Sequence, residues 1–505
     1  MKTPENLLFF LVISAQGVWS RGIDPLQVDT TVGRVYGMIN GSTPNVAQYL
    51  GVPFAEPPLG DLRFRPPQRR YSDKEIHATQ TGSSCPQYLL TRNNSPSVYT
   101  YDAPWLQPYG AISEDCLTLN IWTPLKKSKK PLPVLIWVFG GGFYEGGLLT
   151  NGFDPSNWIQ RTESHIVVAI NYRNNIFGFP NARGLAETGE NLNMGLLDQR
   201  MAVEWVRDNI AAFGGDTSRM ILWGQSSGAA SCDFYNYAYP DDPIVSGFIL
   251  HSGNALATGV NTDLAHTNFT FVAEHFGCVD LSPQEEIKCL QKVHWKKIID
   301  LYESYNMNHS TGQLKWTTVV DNVTKFENYT ERTLAGNYSK LPAIQGANAN
   351  EEASLITWPG PAGPNMTEIH EESLSVHICP AVHHTGLRYQ GDSLTFFYFN
   401  HANFSNISPR PWEGAYHTSE LPLLFGTWEN YGGPGSKFEA EVSTHWQDLY
   451  FEFMKDPVHG LPRAGWPSYS PNGSANLMAA NGKVAQLMPM GILQDECAGI
   501  PETYD

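Results

Sequence analysis

Short apolar segments alternate with amphipathic helical segments over the first half of the chain, and this alternation most restricts how it can fold. Apolar runs of strand length lie at 133–139 and 165–171, and an amphipathic helical pattern follows at 195–212. A further apolar run at 219–224 leads directly into a helical segment of small residues. Strands that alternate with helices pair in parallel. The sequence therefore predicts an α/β fold with a central, mostly parallel sheet flanked by helices.

The remaining segments extend this prediction without adding a second sheet. Between 260 and 342 the pattern is helical and rich in loops, which indicates an insertion over the same sheet rather than a separate domain. Other predicted elements are a hairpin at 27–40, strands at 117–122, 247–251, 341–347 and 394–400, and a long helix at 437–455.

The net charge excludes several kinds of partner. The 505 residues carry a formal charge of -17 and have an isoelectric point near 5.3. Nucleic acids and anionic membrane surfaces repel such a protein, so neither is an expected partner. An acidic surface attracts cationic substrates, but it also serves solubility alone, and the sequence leaves both interpretations open.

The first twenty residues predict a signal peptide. Lys2 precedes an apolar run at 7–15, and the small residues Val18 and Ser20 suit a cleavage site, although Glu5 is unusual in such a segment. The apolar run is too short to cross a bilayer, and no later stretch is long enough. The polar C-terminal residues differ from a signal for a lipid anchor. We therefore expect a secreted protein without a transmembrane anchor, with residues 21–505 as one domain.

Potential glycosylation sites agree with export. Eleven Asn-x-Ser/Thr sequons occur, a number that predicts a glycosylated surface, although unused sequons also arise in a chain rich in Asn and Ser. The asparagines are Asn40, Asn93, Asn268, Asn308, Asn322, Asn328, Asn337, Asn365, Asn403, Asn406 and Asn472.

The cysteines also fit an oxidising compartment. Seven cysteines in an exported protein predict disulfides rather than metal ligands. Spacing favours a small loop between Cys278 and Cys289, a larger one between Cys85 and Cys116, and, less strongly, a pair of Cys379 and Cys497. Cys232 is then left over as a buried thiol. The pairing of Cys232, Cys379 and Cys497 stays open at this stage.

Gly224–Gly228, with the sequence GQSSG, has the pattern of a nucleophile elbow. In this turn a serine lies between a strand and a helix, and the flanking glycines are needed because a side chain would collide with the neighbouring elements. The pattern alone is weak, since it also arises by chance. The apolar run before Ser226 and the small residues after it supply the expected strand and helix, so Ser226 is the predicted nucleophile.

A glycine run follows the apolar segment at 133–139. The backbone N–H groups of Gly141 and Gly142, together with that of Ser227, would bind the oxyanion of a tetrahedral intermediate. Glycine allows the backbone to approach the substrate closely. A flexible turn is the simpler interpretation, but the neighbouring elbow motif makes it less attractive.

These motifs belong to a wider resemblance that covers nearly the whole mature chain. The sequence resembles the type-B carboxylesterases, the family of cholinesterases and fungal lipases, and is most similar in character to secreted fungal members. The resemblance implies the α/β-hydrolase fold. The segments that carry it are GVPFAEPP at 51–58, SEDCLTLN at 113–120, NMGLLDQR at 193–200 and FGGD at 213–216.

The resemblance also implies the other two members of a catalytic triad. Glu351 ends the segment GANANE at the family's acid position, and its neighbour Glu352 stands where the family usually has glycine. His417, in the segment YHTSELP, matches the family's histidine. His417 would take the proton of Ser226, and Glu351 would orient the imidazole. Three other histidines, His377, His383 and His384, have an unspecific spacing for a metal site.

Several further roles follow from the family pattern. Ser252 and Glu420 match a polar network behind the triad, and the pairs Cys85–Cys116 and Cys278–Cys289 match its disulfide loops. Trp105 lies near the position of an aromatic wall that binds quaternary ammonium groups in cholinesterases. A loop tryptophan that packs on its own fold is an equally good interpretation.

Three positions depart from the pattern. Gln225 replaces the glutamate that precedes the nucleophile in cholinesterases, which removes a charge that favours cationic substrates. Ser227 replaces a common alanine and Thr418 a usual glycine. The oxyanion contact uses backbone and tolerates the first change, whereas the second would narrow the pocket beside His417.

The expected activity is hydrolysis of a small-molecule or lipid carboxylic ester through an acyl-Ser226 intermediate, without metal or cofactor. Alternatives are lipase or cholinesterase specificity, transfer of the acyl group to an alcohol, and a non-catalytic binding role, because one fold serves several functions. The sequence between Cys85 and Cys116 is polar and contains proline, and does not supply a clear apolar lid for a lipase.

Overall fold

A computed structural model describes residues 25–257, 261–309, 312–430 and 432–500, and the predicted signal peptide at 1–20 lies outside them. The strands of these residues are β1 Gln27–Thr30, β2 Gly33–Tyr36, β3 Met38–Ile39, β4 Val46–Pro53, β5 Glu75–His77, β6 Thr118–Pro124, β7 Leu132–Val138, β8 Ile166–Ile170, β9 Gly215–Gln225, β10 Gly247–His251, β11 Ala343–Asn348, β12 Thr395–Asn400, β13 Ser474–Ala480 and β14 Lys483–Pro489.

The helices connect and cover these strands. They are α1 Val98–Tyr101, α2 Ser156–Thr162, α3 Asn175–Gly178, α4 Arg183–Thr188, α5 Met194–Asn209, α6 Ser227–Ala238, α7 Thr267–His275, α8 Pro283–Leu290, α9 Trp295–Asn308, α10 Tyr329–Leu334, α11 Met366–Ser373, α12 Cys379–Gln390, α13 Leu421–Phe425, α14 Lys437–Lys455, α15 Gly460–Arg463 and α16 Met490–Cys497. A π-helical turn, Leu374–Ile378, joins α11 to α12.

Eleven strands form one large sheet in the order β14-β13-β12-β11-β10-β9-β7-β8-β6-β4-β3. The strands from β13 to β8 are parallel to one another, and antiparallel strands flank them at both edges. A small sheet, β1-β2-β5, lies apart from it. The predicted α/β architecture is therefore confirmed, with β9 at the centre of the sheet.

The central strands are apolar on both faces because helices cover both faces. Strands β7 and β8 are almost entirely buried, as parallel strands in α/β proteins usually are. Trp137 of β7 and Trp223 of β9 pack against each other, with 4.5 Å between their ring centroids, and Phe425 of α13 packs on both. This aromatic cluster anchors the strand that precedes Ser226.

Most predicted elements occur within a few residues of their predicted bounds, and the long helix occurs at 437–455 as predicted. Strands β4, β5, β13 and β14 were not predicted. Strand β4 contains Gly51 and Pro53, which normally interrupt strands, and its pairing with β6 shifts register between Tyr49 and Val52. The insertion at 260–342 forms helices α7 to α10, as the helical pattern predicted.

All three predicted disulfides are present, namely Cys85–Cys116, Cys278–Cys289 and Cys379–Cys497. Cys232 is a buried free thiol on α6, as expected. The pair that was left open is thus Cys379–Cys497, which ties the start of α12 to the end of α16.

One predicted glycosylation site is incompatible with the structure. Asn406 is buried, and its side-chain nitrogen donates hydrogen bonds to the carbonyl of Trp428 and to Glu439. A glycan on that nitrogen would break both bonds and has no space. Asn268 is half-buried, whereas the other nine sequon asparagines are exposed.

A buried ion pair joins the end of β8 to helix α5. Asp198 accepts hydrogen bonds from Arg173 Nε at 2.8 Å, from Arg173 Nη2 at 2.7 Å and from the backbone N–H of Arg173 at 3.0 Å. Both side chains are almost fully buried. Removing one partner leaves the other as an uncompensated buried charge, which is costly.

We therefore expect Asp198→Ala to lower the free energy of unfolding by about 3–5 kcal/mol. The matched control is Asp300→Ala, which removes an exposed partner of Lys296 and should cost at most about 0.5 kcal/mol. Denaturant unfolding of both variants measures the difference. Equal stabilities would show that the Arg173–Asp198 pair contributes no more than a surface pair.

Candidate active site

The predicted catalytic groups meet at the carboxyl edge of the parallel strands. Ser226 follows the last residue of β9, the glycine run follows β7, and Glu351 lies three residues beyond the end of β11. Parallel strands bring their carboxyl ends to one edge, which is where open α/β sheets bind ligands. His417 reaches the same place from the loop between β12 and α13.

The backbone at Ser226 has the conformation that an elbow requires. Its φ of 57° and ψ of -129° lie outside the backbone regions that residues other than glycine prefer. Its N–H donates to the carbonyl of His251 at 2.8 Å. A Cβ on Gly224 would collide with the backbone of Gly228, and one on Gly228 would collide with the carbonyls that end β7. Both glycines are therefore needed for the tight turn that presents Ser226.

Glu351 and His417 form a buried, hydrogen-bonded pair. His417 Nδ1 donates to Glu351 Oε2 at 2.6 Å, and the backbone N–H of Asn348 donates to Oε1 at 2.7 Å. Burial alone would raise the pKa of Glu351, but the His417 imidazole and these hydrogen bonds hold it below its ordinary value. Tyr99 fixes the loop, because its hydroxyl donates to the carbonyl of His417 at 2.8 Å.

The other nitrogen of His417 contacts Gln225. Since Nδ1 donates to Glu351, Nε2 of the neutral imidazole is an acceptor, and the Gln225 amide nitrogen donates to it at 2.9 Å. Within the described residues, Ser226 Oγ makes no hydrogen bond to His417. The Gln225 amide thus occupies the lone pair that would accept the serine proton.

The glycine run offers free donors beside Ser226. Gly141 and Gly142 have φ values of 114° and 62°, a region that glycine adopts without strain. Among the described residues their N–H groups make no backbone hydrogen bond, and neither does that of Ser227 in the first turn of α6. This arrangement suits the binding of an oxyanion.

Ser252 and Glu420, which were predicted to lie behind the triad, are both close to it. Asn348 donates to Glu420 at 2.6 Å, and Glu420 also faces His251 at 3.3 Å. Ser252 follows β10, and its backbone N–H donates to the carbonyl of Gly346 on β11. The network links the ends of the strands that hold the acid and the nucleophile.

Two pockets meet at Ser226. The histidine-side pocket, of about 350 Å³, is lined by His417, Gln225, Thr418, Glu145 and Tyr99, among others. The insertion-side pocket, of about 310 Å³, is lined by Ser252, Ala230, Asn261, Lys315 and Thr317, among others. Gly142 and His377 belong to both linings. An ester bound at Ser226 can therefore extend in two directions.

Trp105 does not line either pocket. It lies half-buried against the hydrophobic core beside Gly152, while its neighbours Leu106, Gln107 and Pro108 line the histidine-side pocket. The structure therefore places Trp105 where a packing role explains it.

The three histidines without a clear role have separate environments. His384 is held in the core by Gln345 and Asp233, and His383 lines a different pocket near Cys497. His377 lies beside His417. One possible metal-binding atom from each of His377, His417 and Glu351 lies within 4.8 Å of the other two. That set suits a metal ion in number, but Glu351 and His417 already hydrogen-bond to each other.

Sequence reasoning missed Glu145 as a pocket residue, although a charged residue within a glycine-rich apolar loop was a usable signal. Glu145 Oε2 is buried without a hydrogen-bond partner in the described part of the chain. Burial raises the pKa of Glu145 to about 8. Its carboxyl group is therefore mostly uncharged below about pH 8 and gives the pocket a negative charge only in alkaline solution.

Comparison with known proteins agrees with this geometry. A family model described as Carboxylesterase family matches residues 24–361, and the eleven-stranded sheet and elbow are those of the α/β-hydrolase fold. The chain belongs to the carboxylesterase family and is a carboxylic ester hydrolase.

Three relatives illustrate its place in the family. The chain is 44% identical to a chlorogenic acid esterase of Aspergillus niger over 94% of each chain. It is 40% identical to secreted lipase 5 of Gibberella zeae, again over 94% of each chain. It is 32% identical to the acetylcholinesterase of Electrophorus electricus over 75% of this chain and 59% of the relative. None of the helices formed by the described residues has the length and apolarity to span a bilayer.

The ionisation of Glu145 predicts that the preference for a cationic over a neutral ester depends on pH. As pH rises through about 8, kcat/KM for a choline ester should increase relative to that for the neutral 3,3-dimethylbutyl ester of the same acid, because the carboxylate then attracts the cation. Steady-state rates from pH 6 to 9 measure this ratio. In Glu145→Gln the ratio should stay constant, and a ratio that rises equally in both proteins would assign the effect to other groups.

Proposed function

We propose that the chain is a secreted serine esterase that cleaves carboxylic esters through an acyl-Ser226 intermediate, with Glu351 and His417 as the other members of the triad. The observation that carries the proposal is the buried 2.6 Å hydrogen bond between Glu351 and His417 beside the elbow serine. A non-catalytic relative would not need a buried acid–imidazole pair at this place.

The reaction follows from the positions of these groups. When the Gln225 amide yields its place, His417 Nε2 accepts the proton of Ser226 Oγ as that oxygen bonds to the ester carbonyl carbon. The N–H groups of Gly141, Gly142 and Ser227 stabilise the resulting oxyanion. The carbon–alkoxy bond then breaks, and His417 gives its proton to the departing alkoxide. Water, deprotonated by His417, releases the acid in the same way.

This proton transfer orients the substrate. The departing alkoxide must lie next to His417, which lines only the histidine-side pocket of the two. The alcohol part of the ester therefore occupies the histidine-side pocket, and the acyl part occupies the insertion-side pocket.

The size and lining of the insertion-side pocket favour a compact acyl group. The pocket has a volume of about 310 Å³, and its lining combines apolar residues such as Phe143 and Ala230 with the polar residues Asn261, Lys315 and Thr317. An acyl group with an aromatic ring and polar substituents matches this mixture better than a long alkyl chain, which would desolvate the polar groups. Esters of small hydroxylated aromatic acids, the class to which chlorogenic acid belongs, are thus better candidates than long-chain lipids. The resemblance to the chlorogenic acid esterase agrees with this preference.

Secretion is part of the proposal. The predicted signal peptide at 1–20, the three disulfides and the nine exposed sequons all suit an exported protein. The name of the relative from Gibberella zeae states that it is secreted. Residues 21–505 then form one mature domain, glycosylated at exposed sequons and not at Asn406.

Ser226→Ala should lower kcat on nitrophenyl acetate by roughly a million-fold, because no other group can form the acyl intermediate. The matched control, Ser218→Ala, removes an exposed serine hydroxyl on the same strand and should leave kcat within about two-fold. Stopped-flow and overnight assays cover this range. Ready turnover by clean Ser226→Ala protein would disprove the mechanism and favour a binding role or another nucleophile.

A substrate panel tests the acyl preference. We expect kcat/KM to fall steeply from acetyl to palmitoyl nitrophenyl esters and to be higher for chlorogenic acid than for a triglyceride, because a pocket of about 310 Å³ with polar residues in its lining suits compact acyl groups. A maximum at palmitoyl would instead support the lipase alternative. Formation of new esters in the presence of added alcohols would reveal acyl transfer.

A further inference from the structure

A second carboxylate–imidazole pair lies directly beside the catalytic one. The rings of His377 and His417 are in contact, with 4.7 Å between their centroids and 39° between their planes. His377 Nε2 lies 3.1 Å from Glu352 Oε1, and the two side chains are only 10% and 12% exposed. Neither member of this pair belongs to the triad.

The local backbone shows how the second pair reaches the site. His377 lies on the π-helical turn Leu374–Ile378; such turns interrupt a helix at a cost and occur often at functional sites. Glu352 lies on the turn Glu351–Ser354, directly after Glu351. The pair therefore joins an irregular helical turn to the segment that carries Glu351.

Charged and titratable groups from several elements surround His377. Glu351 and Glu352 face it from the turn Glu351–Ser354, His417 from its loop, and Lys315 lies across the insertion-side pocket. Burial lowers the pKa of His377, but the Glu352 and Glu351 carboxylates raise it above its ordinary value. These carboxylates thus favour the imidazolium form of His377.

We propose that the Glu352–His377 pair tunes the pH dependence of the reaction at Ser226, because a charge on His377 lies against the His417 ring and both imidazoles face Glu351. His377 and Glu352 are positioning residues in this role, since they act on the catalytic base and not on the ester. The inference rests on the proposed function of Ser226, Glu351 and His417.

The direction of the effect follows from the signs of the charges. A positive charge in ring contact with His417 disfavours a second positive charge on that ring. Glu352 compensates the charge of His377, but only His377 is in ring contact with His417. Loss of the charge on His377 should therefore be visible in the pH profile of the reaction.

The test is the pH profile of kcat/KM for phenyl acetate, a substrate without an ionisable group, in wild type, His377→Gln and Glu352→Gln. The acid limb of this profile reports the protonation of the free base. We expect both substitutions to move the acid limb to higher pH by about one unit, with the plateau rate within about ten-fold of wild type. His383→Gln, which changes a histidine on α12 that lines another pocket, should leave the limb in place.

The outcomes separate this inference from the proposed function. An acid limb that stays in place in folded His377→Gln or Glu352→Gln, while turnover still depends on Ser226, would overturn the inference alone. Wild-type protein without Ser226-dependent turnover would overturn the proposed function as well. Where His377→Gln does not fold, Glu352→Gln decides the question, because it removes the charge of Glu352 and keeps the size of the side chain.

Discussion

The close approach of helix α6 to the central strands is the constraint on which the site depends. Gly224 and Gly228 allow the helix to begin directly against the backbone of β7 and β9. That contact goes with a strained backbone conformation at Ser226, with φ of 57° and ψ of -129°. The free N–H of Ser227 and the hydroxyl of Ser226 then point to the same edge as the glycine run after β7. The aromatic packing under β9 holds this strained turn in place, so the fold supplies the rigidity that the chemistry needs.

Three carboxylates at this edge of the sheet each face a histidine, and those of Glu351 and Glu420 are fully buried. Glu351 is paired with His417, Glu352 with His377, and Glu420 with His251. Burying a carboxylate without a partner is costly, and imidazole can offset this cost as a neutral donor or as a cation. Glu145 is the contrast, since its raised pKa has burial as its only cause. The same edge of the sheet thus holds carboxyl groups that face a histidine and one, that of Glu145, which burial keeps mostly uncharged.

The sequence predicted the parts of the structure that depend on local pattern. The alternation of strands and helices predicted the central sheet, and the motif around Ser226 predicted the turn that the structure contains. Glu351 and His417 were identified only through the family resemblance, because nothing local marks an acid or a histidine that meets its partner across 66 residues. Strands β13 and β14, with the sequences SANLMAA and KVAQLMP, were missed because small and polar residues interrupt their apolar runs and leave little periodic signal. Trp105 was given a possible ligand contact because its distance in sequence from Cys116 does not reveal which way the loop turns.

Two residues beside the predicted triad contact the His417 imidazole from different elements. Gln225, at the end of β9, donates to Nε2 of His417 without adding a negative charge. His377, on the π-helical turn, lies against the same ring and 3.1 Å from Glu352. A negative charge next to an imidazole favours its protonated form, and a positive charge disfavours it. Both neighbours therefore contact the ring without offering it a further carboxylate, which leaves that role to Glu351.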